Sequence, residues 1–178
     1  MSGYRFDRLK ILVADDNPHM RALLSTVLQA FGVKTVYEVS SGEESWETLL
    51  AHPCDICVVD WMMNGMSGLE LTRKIRTAPD SPNPFLPVVM LTGHSNTERV
   101  CAARDAGVNE FLAKPVSAKS LLARLQSVIE RPRPFVRTHV YFGPCRRRRR
   151  DSSYAGPERR AGEDGLSDIE SYAPGPAA

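Results

Sequence analysis

Five short apolar runs, each followed by an amphipathic stretch, constrain this chain more than any other feature. The runs are Lys10–Ala14, Lys34–Val39, Asp55–Val59, Val88–Leu91 and Glu110–Ala113. Four of them are mostly apolar, which suits strands buried on both faces, whereas Lys34–Val39 reads as a weaker strand. Between them lie helix signals. Asn17 followed by Pro18 reads as a cap with proline at the first helical position. Met20, Leu23, Leu24, Val27, Leu28 and Phe31 then recur at helical spacing until Gly32. Ser41 with Glu44 and Ser95 with Glu98 read as capping boxes, and Ser117 caps a last helix carrying Leu121, Leu122, Leu125, Val128 and Ile129. A shorter helix is expected from about Leu69 to Arg76. Pro79, Pro82, Pro84 and Pro87 make the segment after it a loop. Five strand–helix units demand a mostly parallel sheet with helices on both faces. Right-handed crossovers then leave a doubly wound α/β sheet as the expected architecture.

The 178 residues suit one such domain with a tail. No apolar run approaches the roughly 18 residues of a membrane span. The opening MSGYRFDRLKIL lacks the apolar core of a secretory leader, so no membrane association and a cytoplasmic location are expected. Four scattered cysteines are too few for a disulfide scaffold. Cys54 and Cys57 have the spacing of a redox or zinc pair, but Cys57 falls inside a predicted strand and is expected to be a buried structural thiol.

The formal charge of +2 averages two unlike regions. Residues 1–130 hold 13 basic and 15 acidic side chains, whereas residues 131–178 hold 10 arginines and 6 acids. The second region also contains 6 prolines and 5 glycines, with only Phe135, Val136, Val140, Phe142, Leu166 and Ile169 from the strongly apolar types. That composition predicts a mostly irregular, partly disordered tail. Within it, Tyr141–Arg147 and Tyr154–Arg160 both read Tyr-x-Gly-Pro-x-Arg-Arg, 13 residues apart. Val136, Thr138, Val140 and Phe142 alternate, so Phe135–Phe142 is expected as a strand able to join a partner or the domain edge. Tyr141, Arg146, Arg147, Arg148, Arg149, Arg150, Tyr154, Arg159 and Arg160 are the candidate interaction residues of the tail. Arginine with tyrosine suits nucleic acid through phosphate contacts and stacking. Docking on an acidic protein, folding back on the domain's own acidic surface, and a simply solvated basic arm are the other readings.

Ligand sites of parallel sheets form beyond the carboxyl ends of the strands. There the predicted strands deliver Asp15 and Asp16, then Asp60, then Thr92, then Lys114. Three clustered carboxylates repel one another unless a cation sits among them, and a hard divalent ion such as Mg²⁺ fits oxygen ligands. A carboxylate can attack phosphorus and form an acyl phosphate. Asp60, alone on the central strand, is the expected nucleophile, with Asp15 and Asp16 as metal ligands. Lys114 and the Thr92 hydroxyl would face the oxygens of the phosphoryl group.

The pair Asp15-Asp16, Asp60 with Met63 and Gly68 behind it, Thr92-Gly93 and Lys114-Pro115 resemble the receiver domain of two-component response regulators. The resemblance covers about residues 8–130, leaving 131–178 as the tail. It implies a flavodoxin-like sheet of order 2-1-3-4-5. It implies a phosphoryl group accepted on Asp60 from a histidine kinase or histidine phosphotransfer protein, and Mg²⁺ held by Asp16, Asp60 and the Met62 backbone carbonyl with Asp15 assisting. Thr92 and Phe111 would be the switch residues, and Lys114–Pro115 a cis peptide. Asn64, followed by Gly65, stands where the family usually has proline, so a looser loop is expected. Such a protein is a phosphoacceptor switch that catalyses only its own phosphoryl transfer and hydrolysis. The leading expectation is a stand-alone regulator signalling through its fourth helix, fifth strand and fifth helix to an unidentified downstream protein. The alternative is a nucleic-acid-binding regulator acting through the tail, although no helix-turn-helix pattern follows the domain. An aspartyl-phosphate phosphatase would want a second Asp two residues after its nucleophile on the first strand, where Asp15 is followed by Asp16 and Asn17.

Overall fold

The structure is a computed structural model that describes residues 6–93 and 97–146 and the backbone of Glu170–Tyr172. Strands β1 (Lys10–Ala14), β2 (Thr35–Val39), β3 (Ile56–Asp60), β4 (Val88–Thr92) and β5 (Glu110–Ala113) alternate with helices α1 (Pro18–Ala30), α2 (Gly42–Ala51), α3 (Gly68–Thr77), α4 (Thr97–Ala106) and α5 (Ala118–Glu130). All pairings in this sheet are parallel, and the order is β2-β1-β3-β4-β5. The doubly wound, flavodoxin-like arrangement expected from the sequence is therefore present.

The period of two in each strand divides the core between two faces. Leu12, Cys57, Val59, Val88 and Met90 pack with Leu49, Leu71 and Ile75 of α2 and α3. Ile11, Val13, Ile56, Val58, Val89 and Leu91 pack with Leu24 and Leu28 of α1 and Leu121 and Leu125 of α5. Each fully buried aliphatic side chain contributes roughly 1.5–3 kcal/mol through removal from water. Leu23 belongs to the helical pattern yet is 48% exposed, beyond the edge of the buried stripe.

The helix ends follow their side chains. Asn17 accepts from the amides of His19 and Met20. Ser67 and Glu70 form a reciprocal box at α3, and Ser117 with Ser120 does so at α5. At α2 the Ser41 hydroxyl accepts from the Glu44 amide, but the Glu44 carboxylate reaches Ser40 instead of closing the box on Ser41. Ser95 lies outside the described residues. Among the described residues no helix is long and apolar enough to cross a membrane.

Beyond α5, short strands lie within the segment expected to be mostly irregular. Strands β6 (Phe135–Thr138) and β7 (Tyr141–Pro144) form an antiparallel hairpin, and β8 (Glu170–Tyr172) pairs with β6 on its other side. The single strand expected over Phe135–Phe142 is instead broken at His139 and Val140, and Val140 is 95% exposed. Phe135 and Phe142 are buried, each edge-on or tilted against Phe85 and one another at 5.1–5.6 Å. The two aromatics compensate for the poor overall apolarity of the segment because both fall on one face and meet a third ring. Arg147, Arg148, Arg149, Arg150, Tyr154, Arg159 and Arg160 lie outside the described residues.

Candidate functional site

The strand order reverses between β1 and β3, so their carboxyl ends open a crevice between diverging loops. Asp15 and Asp16 follow β1 directly, and Asp60 is the last residue of β3. Carboxylate oxygens of all three lie within 4.8 Å of one another. Asp15 is fully buried and Asp60 is nearly so, while Asp16 is exposed. Lys114, on the loop after β5, places Nζ 2.8 Å from Asp15 Oδ2 and 3.0 Å from Asp60 Oδ1. One cation thus bridges two carboxylates from separate strands.

The backbone holds this arrangement. The Asn17 amide donates to Asp15 Oδ1 at 2.9 Å, and Arg21 Nη1 donates to the Asp15 carbonyl at 2.6 Å. The Lys114 amide donates to the Thr92 carbonyl at 2.8 Å, joining the ends of β4 and β5. Thr92 is buried, one residue beyond Leu91, the register partner of Asp60. The Lys114–Pro115 peptide is cis.

Gly68 is required by close approach. A Cβ there would meet the Asp60 carbonyl oxygen at 2.2 Å, so only glycine lets α3 start against the end of β3. Gly65 has a φ of 74°, a left-handed conformation that glycine adopts without strain. The loop between β3 and α3 is also tied across to α2, where Glu43 Oε1 accepts from the Met66 amide at 2.8 Å. That tie, which spacing does not reveal, anchors the loop expected to be looser for want of proline. Trp61 extends its contacts from the same loop, with the Arg99 guanidinium 5.7 Å from its ring.

Burial raises the pKa of the Asp60 carboxyl, against the opposing pull of the Lys114 ammonium. Burial alone would lower Lys114, but its hydrogen bonds to Asp15 and Asp60 outweigh that and hold its pKa above the usual lysine value. The pocket therefore contains a carboxylate that gains from any added positive charge, and an ammonium that stays charged at neutral pH.

The sequence pattern of the response regulator receiver domain matches residues 11–126. The chain belongs to the response regulator receiver domain family. This receiver is 34% identical over 122 residues to the chemotaxis protein CheY1 of Helicobacter pylori, spanning 68% of this chain and 97% of that one. It is 34% identical over 123 residues to the chemotaxis protein CheY-3 of Vibrio cholerae, with 69% and 93% covered. Among solved structures it resembles the Vibrio cholerae chemotaxis protein CheY4 (TM-score 0.62, 28% identity, 67% of this chain and 98% of that one). It also resembles the receiver domain of the histidine kinase CKI1 from Arabidopsis thaliana, solved with Mg²⁺ and BeF₃⁻ (TM-score 0.58, 26% identity, 68% and 95% covered).

Around the receiver's pocket the structure gathers Asp15, Asp16, Asp60, Thr92 and Lys114 at one rim. The Met62 side chain points away into solvent, 61% exposed, while Met63 is buried. Phe111 is half-buried and packs on the α2–α3 side of the sheet, where it registers with Met90. Cys57 is fully buried in β3, and burial pushes its thiol up to about 12. Cys54 precedes β3 and packs against the same apolar cluster as Cys57, and both thiols are free. In the tail, Arg146 stacks over the Tyr141 ring at 4.3 Å and pairs with Asp105 at 3.2 Å.

Proposed function

We propose that Asp60 accepts a phosphoryl group from a histidine kinase or histidine phosphotransfer protein, and that the resulting charge switches the α4–β5–α5 face for protein–protein signalling. The observation that carries this reading is the Lys114 bridge between Asp15 and Asp60 beside the exposed Asp16. An Asp60 carboxylate oxygen attacks phosphorus, and the bond from phosphorus to the donor imidazole nitrogen breaks. The electron pair leaves with that nitrogen, and the product is a mixed anhydride of carboxylate and phosphate. Lys114 is held in place to meet the equatorial oxygens, and the Thr92 hydroxyl donates to one of them.

The donor set suits Mg²⁺, because three carboxylates offer hard oxygen ligands within 4.8 Å of one another. Asp15, Asp16 and Asp60 would hold the ion together with the Met62 backbone carbonyl. When bound, Mg²⁺ supplies positive charge beside the transferring phosphoryl oxygens.

Phosphorylation adds about −1.5 to −2 charge at Asp60. Thr92 is drawn toward it, and the half-buried Phe111 takes up the space on the same side of the sheet. A cytoplasmic location beside its kinase goes with this reading. Acetyl phosphate with Mg²⁺ tests the reading by intact mass. The parent protein is expected to gain one phosphoryl group and Asp60→Ala none; uptake by Asp60→Ala equal to the parent's contradicts it.

A further inference from the structure

The family pattern ends at residue 126, yet the folded structure continues into the hairpin β6–β7. This hairpin grips the corner where α4 turns into β5. The corner is Gly107–Asn109, and Gly107 adopts a φ of 92°. A Cβ on Gly107 would meet Arg76 atoms at 3.1 Å on one side and the Phe142 carbonyl at 3.3 Å on the other. Arg76 of α3 donates to the Gly107 carbonyl through Nε and Nη2, and to Asn109 Oδ1. Its guanidinium lies 5.1 Å from the Phe135 ring, which roofs it. Arg133, leading into the hairpin, donates to the Asn109 carbonyl at 3.2 Å. Arg146, at the start of the arginine run, pairs with Asp105 in the last turn of α4.

The other end of α4 lies over the loop that follows Asp60. Arg99, in its first two turns, stands over Trp61, the residue after Asp60. Between its ends α4 is weakly anchored. Ala103 and Ala106 are its buried apolar residues, and Val100 is 39% exposed. A short helix with little buried surface, held at one end near Asp60 and at the other by the hairpin, is an element that both ends can bias.

We propose that the hairpin is a built-in reader of α4, so that occupancy of the acidic pocket alters the hairpin and the Arg146 contact at its end. The inference rests on the phosphoacceptor reading of that pocket. By linkage, the hairpin must change the pocket's equilibrium affinity by the same factor as the pocket changes the hairpin.

Beryllofluoride with Mg²⁺, added to the full-length protein, is the probe. Calorimetry reads binding, and amide hydrogen exchange reads the hairpin. Exchange at Phe135–Pro144 is expected to change at least threefold on binding. In Gly143→Val the new side chain would meet Tyr141 and Gly107 at under 3 Å and displace the hairpin. That variant is expected to bind beryllofluoride with an affinity changed at least threefold. Asp105→Asn, on the surface, leaves the hairpin seated but removes the ion pairs to Arg146 and to its neighbour Arg104, and is expected to show a smaller exchange response. Binding to the parent with unaltered hairpin exchange overturns the coupling alone. Absence of any binding to the parent overturns the coupling together with the phosphoacceptor reading beneath it.

Discussion

Lys114 sets the electrostatics of the pocket, because its ammonium is the counter-charge to both Asp15 and Asp60. Even so, burial keeps the Asp60 carboxyl pKa above its ordinary 3.8, so charge at this position works against folding. Between the ordinary value and the raised one, the folded state holds a proton that the unfolded state releases. The penalty is fully present above the raised value and absent below 3.8. Asp60→Asn is therefore expected to raise the melting temperature of the metal-free protein at pH 7 by a few degrees. The gain should shrink as pH falls toward 4, and Mg²⁺ should narrow it by stabilising the parent. A metal-free Asp60→Asn protein less stable than the parent at pH 7 would show that the lost contact to Lys114 outweighs desolvation. At this scale the sequence names the groups that gather at the rim, because polar residues after buried strands stand out against apolar runs. It does not reveal that Lys114 touches two carboxylates, or that Glu43 ties down the Met66 amide. Those contacts depend on how far separate loops reach over the rim.

The elements were legible because local signals agree with the global pattern: largely apolar strands, and helices capped by Asn17, Ser41 and Ser117. The hairpin was legible only as a single strand over Phe135–Phe142. Its strands are four residues each, and its apolar partner Phe85 sits in a proline-rich loop about fifty residues earlier, which sequence periodicity cannot connect. Val140 also imitates a strand position while lying in the turn. The α3 start is the sharpest element-scale test. Gly68→Ala puts a Cβ 2.2 Å from the Asp60 carbonyl oxygen, so the helix or the strand end must shift. A loss of about 1–3 kcal/mol in urea unfolding is expected, with slower phosphoryl uptake from acetyl phosphate. Ser67→Ala, which removes the α3 capping box without crowding the pocket, should cost about 1 kcal/mol and leave uptake unchanged.

For the whole molecule, the folded unit extends past the family boundary. Removing residues 131–178 uncovers Phe85 and the guanidinium of Arg76, which burial now pulls down to about 10. It also deletes the buried Phe135 and Phe142, each contributing roughly 1.5–3 kcal/mol. A 1–130 protein is therefore expected to have a lower urea midpoint than a 1–146 protein, and equal midpoints would mean that the hairpin adds nothing to the core. The charge separation has a structural counterpart. The acidic receiver and the arginine-bearing segment are physically joined by the Asp105–Arg146 pair at the end of α4. The central claim remains that a phosphoryl group lands on the last residue of β3. Borohydride reduction of protein treated with acetyl phosphate and Mg²⁺ converts an aspartyl phosphate to homoserine, and peptide mass spectrometry then locates it. Homoserine at position 60 alone is the predicted result; homoserine at 15 or 16, or at none of the three, would contradict the account.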